Sequence, residues 1–142
     1  MTKILCATRG GEASRRTQER AIALARQHNA ELIFLYVFDL DFLEQVQAAT
    51  IPTVAKDMQR MGGFFLTMAQ EQACAQGVEA RTICRQGKTK AEIKAVTAEE
   101  NIDVVILGQP SGTPEQNFFA TEALKNFAAE IEAETEAQVV LV

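Results

Sequence analysis

Hydrophobic residues fall along the chain in two alternating rhythms. Short, nearly continuous apolar runs recur at Lys3–Ala7 (KILCA), Glu31–Phe38 (ELIFLYVF), residues 102–107 (IDVVIL) and residues 139–142 (VVLV). Runs this short and this apolar predict strands, and the unbroken Glu31–Phe38 run predicts one buried on both faces of a sheet. A further run at residues 78–84 places Val78, Ala80, Thr82 and Cys84 on one side of the chain. Such alternation predicts an edge strand, wet on one face.

Between the runs the period lengthens to that of a helix. After Ser14, a good capping residue, Thr17, Ala21, Leu24 and Ala25 recur at helical spacing, and Asn29 is suited to end the helix. Arg15, Arg16, Glu19, Arg20 and Arg26 occupy its other positions, and Arg15 with Glu19 forms an i, i+4 pair on a solvated face. Residues 54–76 resume the period, with Val54, Met58, Met61, Phe65, Met68, Ala69 and Ala73 as one inward stripe and Gly77 as the stop. Gly62 and Gly63 interrupt that stripe and lower the intrinsic stability of the helix by roughly 1 kcal/mol each. Thr89 and Glu92 have capping-box spacing ahead of a short helix whose inner face is Ile93 and Val96. Thr113, Pro114 and Gln116 signal a last helix start, with Phe118, Phe119, Leu124, Phe127 and Ile131 on its buried side.

Strand and helix alternate from end to end, which predicts a parallel sheet covered on both faces. The expectation is one doubly wound domain over residues 1–142, a three-layer α/β/α sandwich of five strands and four helices. In such folds ligands sit beyond the carboxyl ends of the strands, where strand order reverses. That directs attention to the loops after Ala7, Phe38, Cys84 and Leu107.

Composition narrows the chemistry. The 142 residues carry a net charge of −5, which argues against non-specific nucleic-acid or acidic-membrane binding as the main role. The longest fully apolar run, LIFLYVF, is too short to cross a bilayer, and the start MTKILCATRGG does not read as a signal peptide. Three cysteines without CxxC spacing read as free thiols in a reducing compartment, so a cytoplasmic protein is expected. The single histidine, His28, falls at the end of the first helix, where a polar or positive side chain suits the carbonyls. No nucleophile pair, base or metal set emerges, so an enzyme of high turnover is not expected. Gly87-Lys88-Thr89 lacks the preceding glycine of a phosphate-binding loop and reads as a helix start. Asp39, Asp41 and Glu44 read as a solvated loop, and Glu130, Glu132, Glu134 and Glu136 as a solvent-exposed acidic helix end.

One stretch, DVVILGQPSGTPEQNFF at residues 103–119, passes from strand through a small-residue loop to a helix start. Free amides and the helix dipole there favour an anion, although Thr113 and Glu115 already supply a cap and a negative charge.

Taken in order, KILCATRGGEASRRTQERAIALA, FLYVFD, QGKTKAEI and ENIDVVILG resemble the universal stress protein family over nearly the whole chain. The resemblance implies a Rossmann-like fold of the adenine-nucleotide alpha-hydrolase kind. Members that bind ATP rest adenine and ribose on the loop after the first strand and on the second-strand valine. Their phosphates lie in a Gly-x2-Gly-x9-Gly-Ser/Thr segment after the fourth strand. Carried over, this implies a site of Thr8, Arg9, Val37, Gly108, Ser111, Gly112 and Thr121, with ATP or AMP as the candidate ligand. The fit is incomplete. Arg9 stands where the family has Asp, Ser111 where it has its second glycine, and Thr121-Glu122 where it has Gly-Ser. The expected function is therefore a dimeric regulatory or stress-response module with a degenerate nucleotide site. The alternative is an ATP/AMP-binding switch with slow or no hydrolysis. The resemblance also implies a homodimer paired through the terminal strand, Val139 to Val142.

Overall fold

The computed structural model describes residues 2–10, 14–40, 50–109 and 118–142. Within them the elements run β1 (Lys3–Ala7), α1 (Arg15–His28), β2 (Glu31–Phe38), α2 (Ile51–Ala75), β3 (Ala80–Gln86), α3 (Thr89–Glu99), β4 (Val104–Leu107), α4 (Phe118–Glu134) and β5 (Gln138–Leu141). The strands form one parallel sheet in the order β3-β2-β1-β4-β5.

Side-chain alternation along the strands sorts the core into two layers. Ile4, Cys6, Leu32, Phe34, Tyr36 and Ile106 face α1 and α2, where they meet Ala21, Ile22, Ala25, Leu66, Ala69 and Ala73. Leu5, Ile33, Leu35, Val105 and Leu107 face α3 and α4, where they meet Ile93, Val96, Phe127 and Ile131. Leu32 to Leu35 are fully buried, as a central strand covered on both faces requires. Burying each such side chain contributes about 1.5–3 kcal/mol, so this double layer is what holds the sheet. The doubly wound α/β sandwich expected from the sequence is thus observed, with β3 and β5 at the two edges.

Three local expectations are corrected. On α2 the inward stripe is Gly62, Leu66, Ala69 and Ala73, whereas Met61, Phe64 and Met68 are 48%, 62% and 53% exposed. Hydrophobicity alone placed the methionines inward. The small residues lie inward instead because α2 packs close to the sheet: a Cβ on Gly62 would lie 2.5 Å from Tyr36 Cδ1. Met58 and Phe65 do pack against that layer, half-buried. Ser14 precedes α1 but makes no side-chain cap to it, because its hydroxyl accepts the Arg9 amide at 2.9 Å. Lys88, not Thr89, precedes the first turn of α3, and the Glu92 carboxylate meets Arg85 at 3.5 Å instead of closing a capping box.

Ion pairs tie the polar face together. Arg81 on β3 bridges Glu31 at 3.1 Å and Glu100 at 3.2 Å. Arg85 joins Glu99, and Lys94 on α3 joins Glu130 at 3.0 Å and Glu134 at 2.9 Å on α4. Two of the crowded acids on α4 thus answer a cation within the chain. Exposed pairs of this kind contribute about 0–1 kcal/mol each, so they set orientation more than stability. Arg15 and Glu19 pair at 3.1 Å as their spacing implied, and Asn29 ends α1 in the left-handed conformation at φ 51°. His28 is exposed at that helix end. Among the described residues no helix is long and apolar enough to cross a membrane, and no cluster of side chains is suited to hold a metal.

Candidate ligand-binding site

The chain steps outward from β1 to β2 and β3, then returns to lay β4 against the other side of β1. Strand order reverses between β1 and β4, and the helices that follow them, α1 and α4, lie on opposite faces of the sheet, which opens a crevice at the strands' carboxyl ends. A cavity of about 470 Å³ lies there, within the usual size of small-molecule sites. Two wider depressions, of about 570 and 790 Å³, lie elsewhere, one where α2 leads into β3 and one between α1 and α2. Neither touches the strand ends that such folds use.

The cavity floor is apolar and comes from the sheet: Ala7, Leu35, Val37 and Leu107. Its walls are Thr89, Lys90 and Ile93 at the start of α3, and Ala120, Ala123, Leu124 and Phe127 on α4. Thr8, Arg9 and Gly108 form the rim.

Hydrogen bonds fix that rim. The Thr8 amide donates to the Leu35 carbonyl at 2.9 Å and extends the sheet past β1. The Thr8 hydroxyl is buried and accepts from Gln18 Nε2 at 2.7 Å and from the Gly10 amide at 3.1 Å. It fastens the loop to α1. The Arg9 backbone is held by Ser14, while Arg9 itself is exposed at the cavity edge. Gly10 adopts φ 77°, a conformation that suits glycine, and a Cβ there would collide with the Phe65 ring of α2. At Gly108 a Cβ would lie 2.7 Å from Thr17 Oγ1, so glycine lets the end of β4 approach α1. The chain beyond it is pinned by the Gln109 amide, which donates to the Val142 carbonyl at 2.8 Å.

Electrostatics mark the cavity more sharply than its shape. Its described lining holds two cations, Arg9 and Lys90, and no acid, in a protein whose net charge is −5. Lys90 Nζ lies 5.7 Å from the centre of the buried Phe127 ring, within cation–π reach. Lys94, 6.0 Å from the same ring, is already bonded to Glu134 and Glu130, and those hydrogen bonds raise its pKa. Neither Arg9 nor Lys90 has an acidic partner among the described residues. On the opposite layer, burial pushes the Cys6 thiol up to about 12, so it stays protonated.

Of the residues singled out from the sequence, Thr8, Arg9, Val37 and Gly108 converge on this cavity. Thr121 lies half-buried on α4 but outside the lining, which uses Ala120, Ala123, Leu124 and Phe127. Ser111 and Gly112 lie outside the described residues, as do Thr113, Asp41, Glu44 and the side chains of Phe118 and Phe119. Lys90 was not singled out. Its signal was topological: it opens the helix after β3, one of the strands whose exits bound the crevice.

Comparison with known proteins accords with this architecture. A curated relative, universal stress protein YxiE of Bacillus subtilis (strain 168), is 27% identical over 114 residues, spanning 75% of this chain and 77% of that protein. Universal stress protein UspA from Lactobacillus plantarum superposes with a TM-score of 0.78 at 19% identity, covering 99% of this chain and 97% of that one. A universal stress protein family protein from Arabidopsis thaliana, solved with AMP bound, superposes with a TM-score of 0.65 at 16% identity, covering 100% and 91%. The universal stress protein family model matches residues 1–142, and the chain belongs to that family.

Proposed function

We propose that this protein is a cytoplasmic regulatory module of the stress response that holds an adenine nucleotide in the crevice between β1 and β4, without rapid turnover. One observation carries the reading: an apolar cavity of about 470 Å³ at the topological switch point in which, among the described residues, the charged lining is cationic. Its flat aliphatic floor suits a purine, and its cations suit a phosphate. The Arabidopsis neighbour solved with AMP bound, and another solved in complex with cAMP, lend the same ligand class. A binding role fits because the described lining offers no carboxylate, imidazole or thiol for proton transfer or attack. Three free cysteines suit a reducing compartment. The module acts as a homodimer: β5 is an edge strand of half-buried valines and leucine, and an apolar edge calls for cover.

Thermal unfolding with adenosine, AMP and ATP tests this. A ligand present at a hundredfold excess over its Kd adds about 2.7 kcal/mol, or a rise of roughly 5–10 °C in Tm. No shift with any of the three at millimolar concentration overturns the nucleotide reading. It would leave the second reading, a dimeric module whose site has lost its ligand, which Arg9 favours by reversing the charge expected beside the nucleoside.

A further inference from the structure

The cations of the cavity are not spread evenly round it. Arg9 follows β1 and Lys90 belongs to the first turn of α3, whereas the described β4 and α4 lining is uncharged: Leu107, Gly108, Ala120, Ala123, Leu124 and Phe127. We infer that Arg9 and Lys90 form a two-cation clamp for the phosphate of a nucleoside monophosphate, and that Lys90 is a ligand-binding residue of this site. The inference rests on the nucleotide reading above.

Three observations converge. First, most lysines and arginines flanking α3 and α4 are already engaged. Arg81 and Arg85 pair with glutamates, Lys94 with Glu130 and Glu134, and Lys125 with Glu122 at 3.9 Å. Among the described residues, Arg9 and Lys90 are the charged ones that line the cavity, and neither meets an acid there. Second, Lys90 is held against the aromatic wall, with Nζ 5.7 Å from the Phe127 centroid. Both residues line the cavity, and a lysine already resting on its wall loses less side-chain freedom on binding. Third, the Lys88 side chain does not cap the start of α3, so its first amides add donors beside Lys90; the first-turn acid, Glu92, is drawn to Arg85. A guanidinium and an ammonium together match one doubly charged phosphate, which a bidentate Arg contact and a point-charge Lys contact can share. A nucleoside without phosphate leaves both cations unanswered.

Isothermal titration calorimetry of the full chain with AMP and with adenosine separates the clamp from the nucleotide reading. The wild type binds AMP at least tenfold more tightly than adenosine, and raising salt narrows the gap. Lys90→Gln and Arg9→Gln each weaken AMP about tenfold and leave adenosine unchanged, whereas Lys90→Arg retains AMP affinity. Both residues are exposed, so the variants keep the wild-type Tm, which confirms the fold. Equal affinity for AMP and adenosine, or an AMP preference unaltered in Lys90→Gln, overturns the clamp while leaving the nucleotide reading intact. Binding of neither compound overturns both.

Discussion

Gly62 and Gly63 are adjacent in the middle of α2, yet replacing each by alanine should change stability in opposite directions. The same methyl enters the same helix, so the intrinsic gain, about 0.8–1 kcal/mol, is common to both variants. Only packing differs. A Cβ at Gly63 meets no heavy atom within 4 Å, so Gly63→Ala keeps the whole gain. A Cβ at Gly62 lies 2.5 Å from Tyr36 Cδ1, 2.9 Å from Tyr36 Cε1 and 3.2 Å from Cys84 Sγ. Relaxed carbon contacts lie near ~3.5–4.0 Å, so the ring or the helix must give by about 1 Å. Neither yields easily. Tyr36 is buried on β2, which is paired on both sides, and its ring packs 6.0 Å from that of Phe65. Overpacking of this kind costs about 1–3 kcal/mol. After the helix gain is subtracted, Gly62→Ala destabilises by up to about 2 kcal/mol, and the two variants differ by the overpacking cost itself, about 1–3 kcal/mol. Urea unfolding followed by far-ultraviolet circular dichroism should give unchanged slopes with midpoints displaced to either side of the wild type. Thermal midpoints should stand roughly 3–10 °C apart. If Gly62→Ala matches or exceeds the wild type in stability, the close approach of α2 to β2 is not a constraint and the packing argument fails.

Further outcomes follow from the edge strand and the buried thiol. The Val139 amide donates to Glu132 Oε1 at 3.0 Å, so strand pairing across a dimer must displace that carboxylate. Glu132→Ala should therefore tighten the dimer in analytical ultracentrifugation, while deletion of residues 139–142 should give monomers or aggregates; a stable dimer after the deletion would refute pairing through β5. Cys6 should resist an aromatic disulfide reagent that labels exposed Cys74 at once, and should react only on unfolding. Burial pushes its folded pKa up to about 12, above the ordinary thiol value of 9.0. The unfolded chain therefore loses this proton first as pH rises. Stability from this thiol is fully present below pH 9.0 and declines towards pH 12, by up to about 1.4 kcal/mol per pH unit. Cys6→Ala should flatten that part of the unfolding profile, and an unchanged slope would show that the thiol is not the titrating group.

Much of the architecture was legible in the chain because it follows from period and punctuation. Apolar runs of four to eight residues, separated by helical periods and small-residue exits, allow little except a parallel sheet covered on both faces. The edge position of β3, the stop at Asn29 and the Arg15–Glu19 pair were legible for the same reason: each depends on neighbours within a few residues. Thr8, Arg9, Val37 and Gly108 could be grouped because strand exits at one end of such a sheet share a crevice.

Other features depended on contacts between residues distant in sequence. Nothing local to α2 says that Gly62 faces Tyr36 while Met61 and Met68 face solvent; the approach of helix to sheet decided it, against the hydrophobicity of the methionines. Nothing local to Ser14 or Thr89 says that one hydroxyl serves Arg9 and that the other residue lies inside its helix. Lys90 joins Arg9, 81 positions earlier by subtraction of their numbers, only because α3 crosses back over the sheet on its way from β3 to β4. Periodicity is a property of neighbours along a chain and was determined by the sequence. Which surfaces meet, and which charges find an opposite partner, is settled by packing, and that the tertiary structure alone decided.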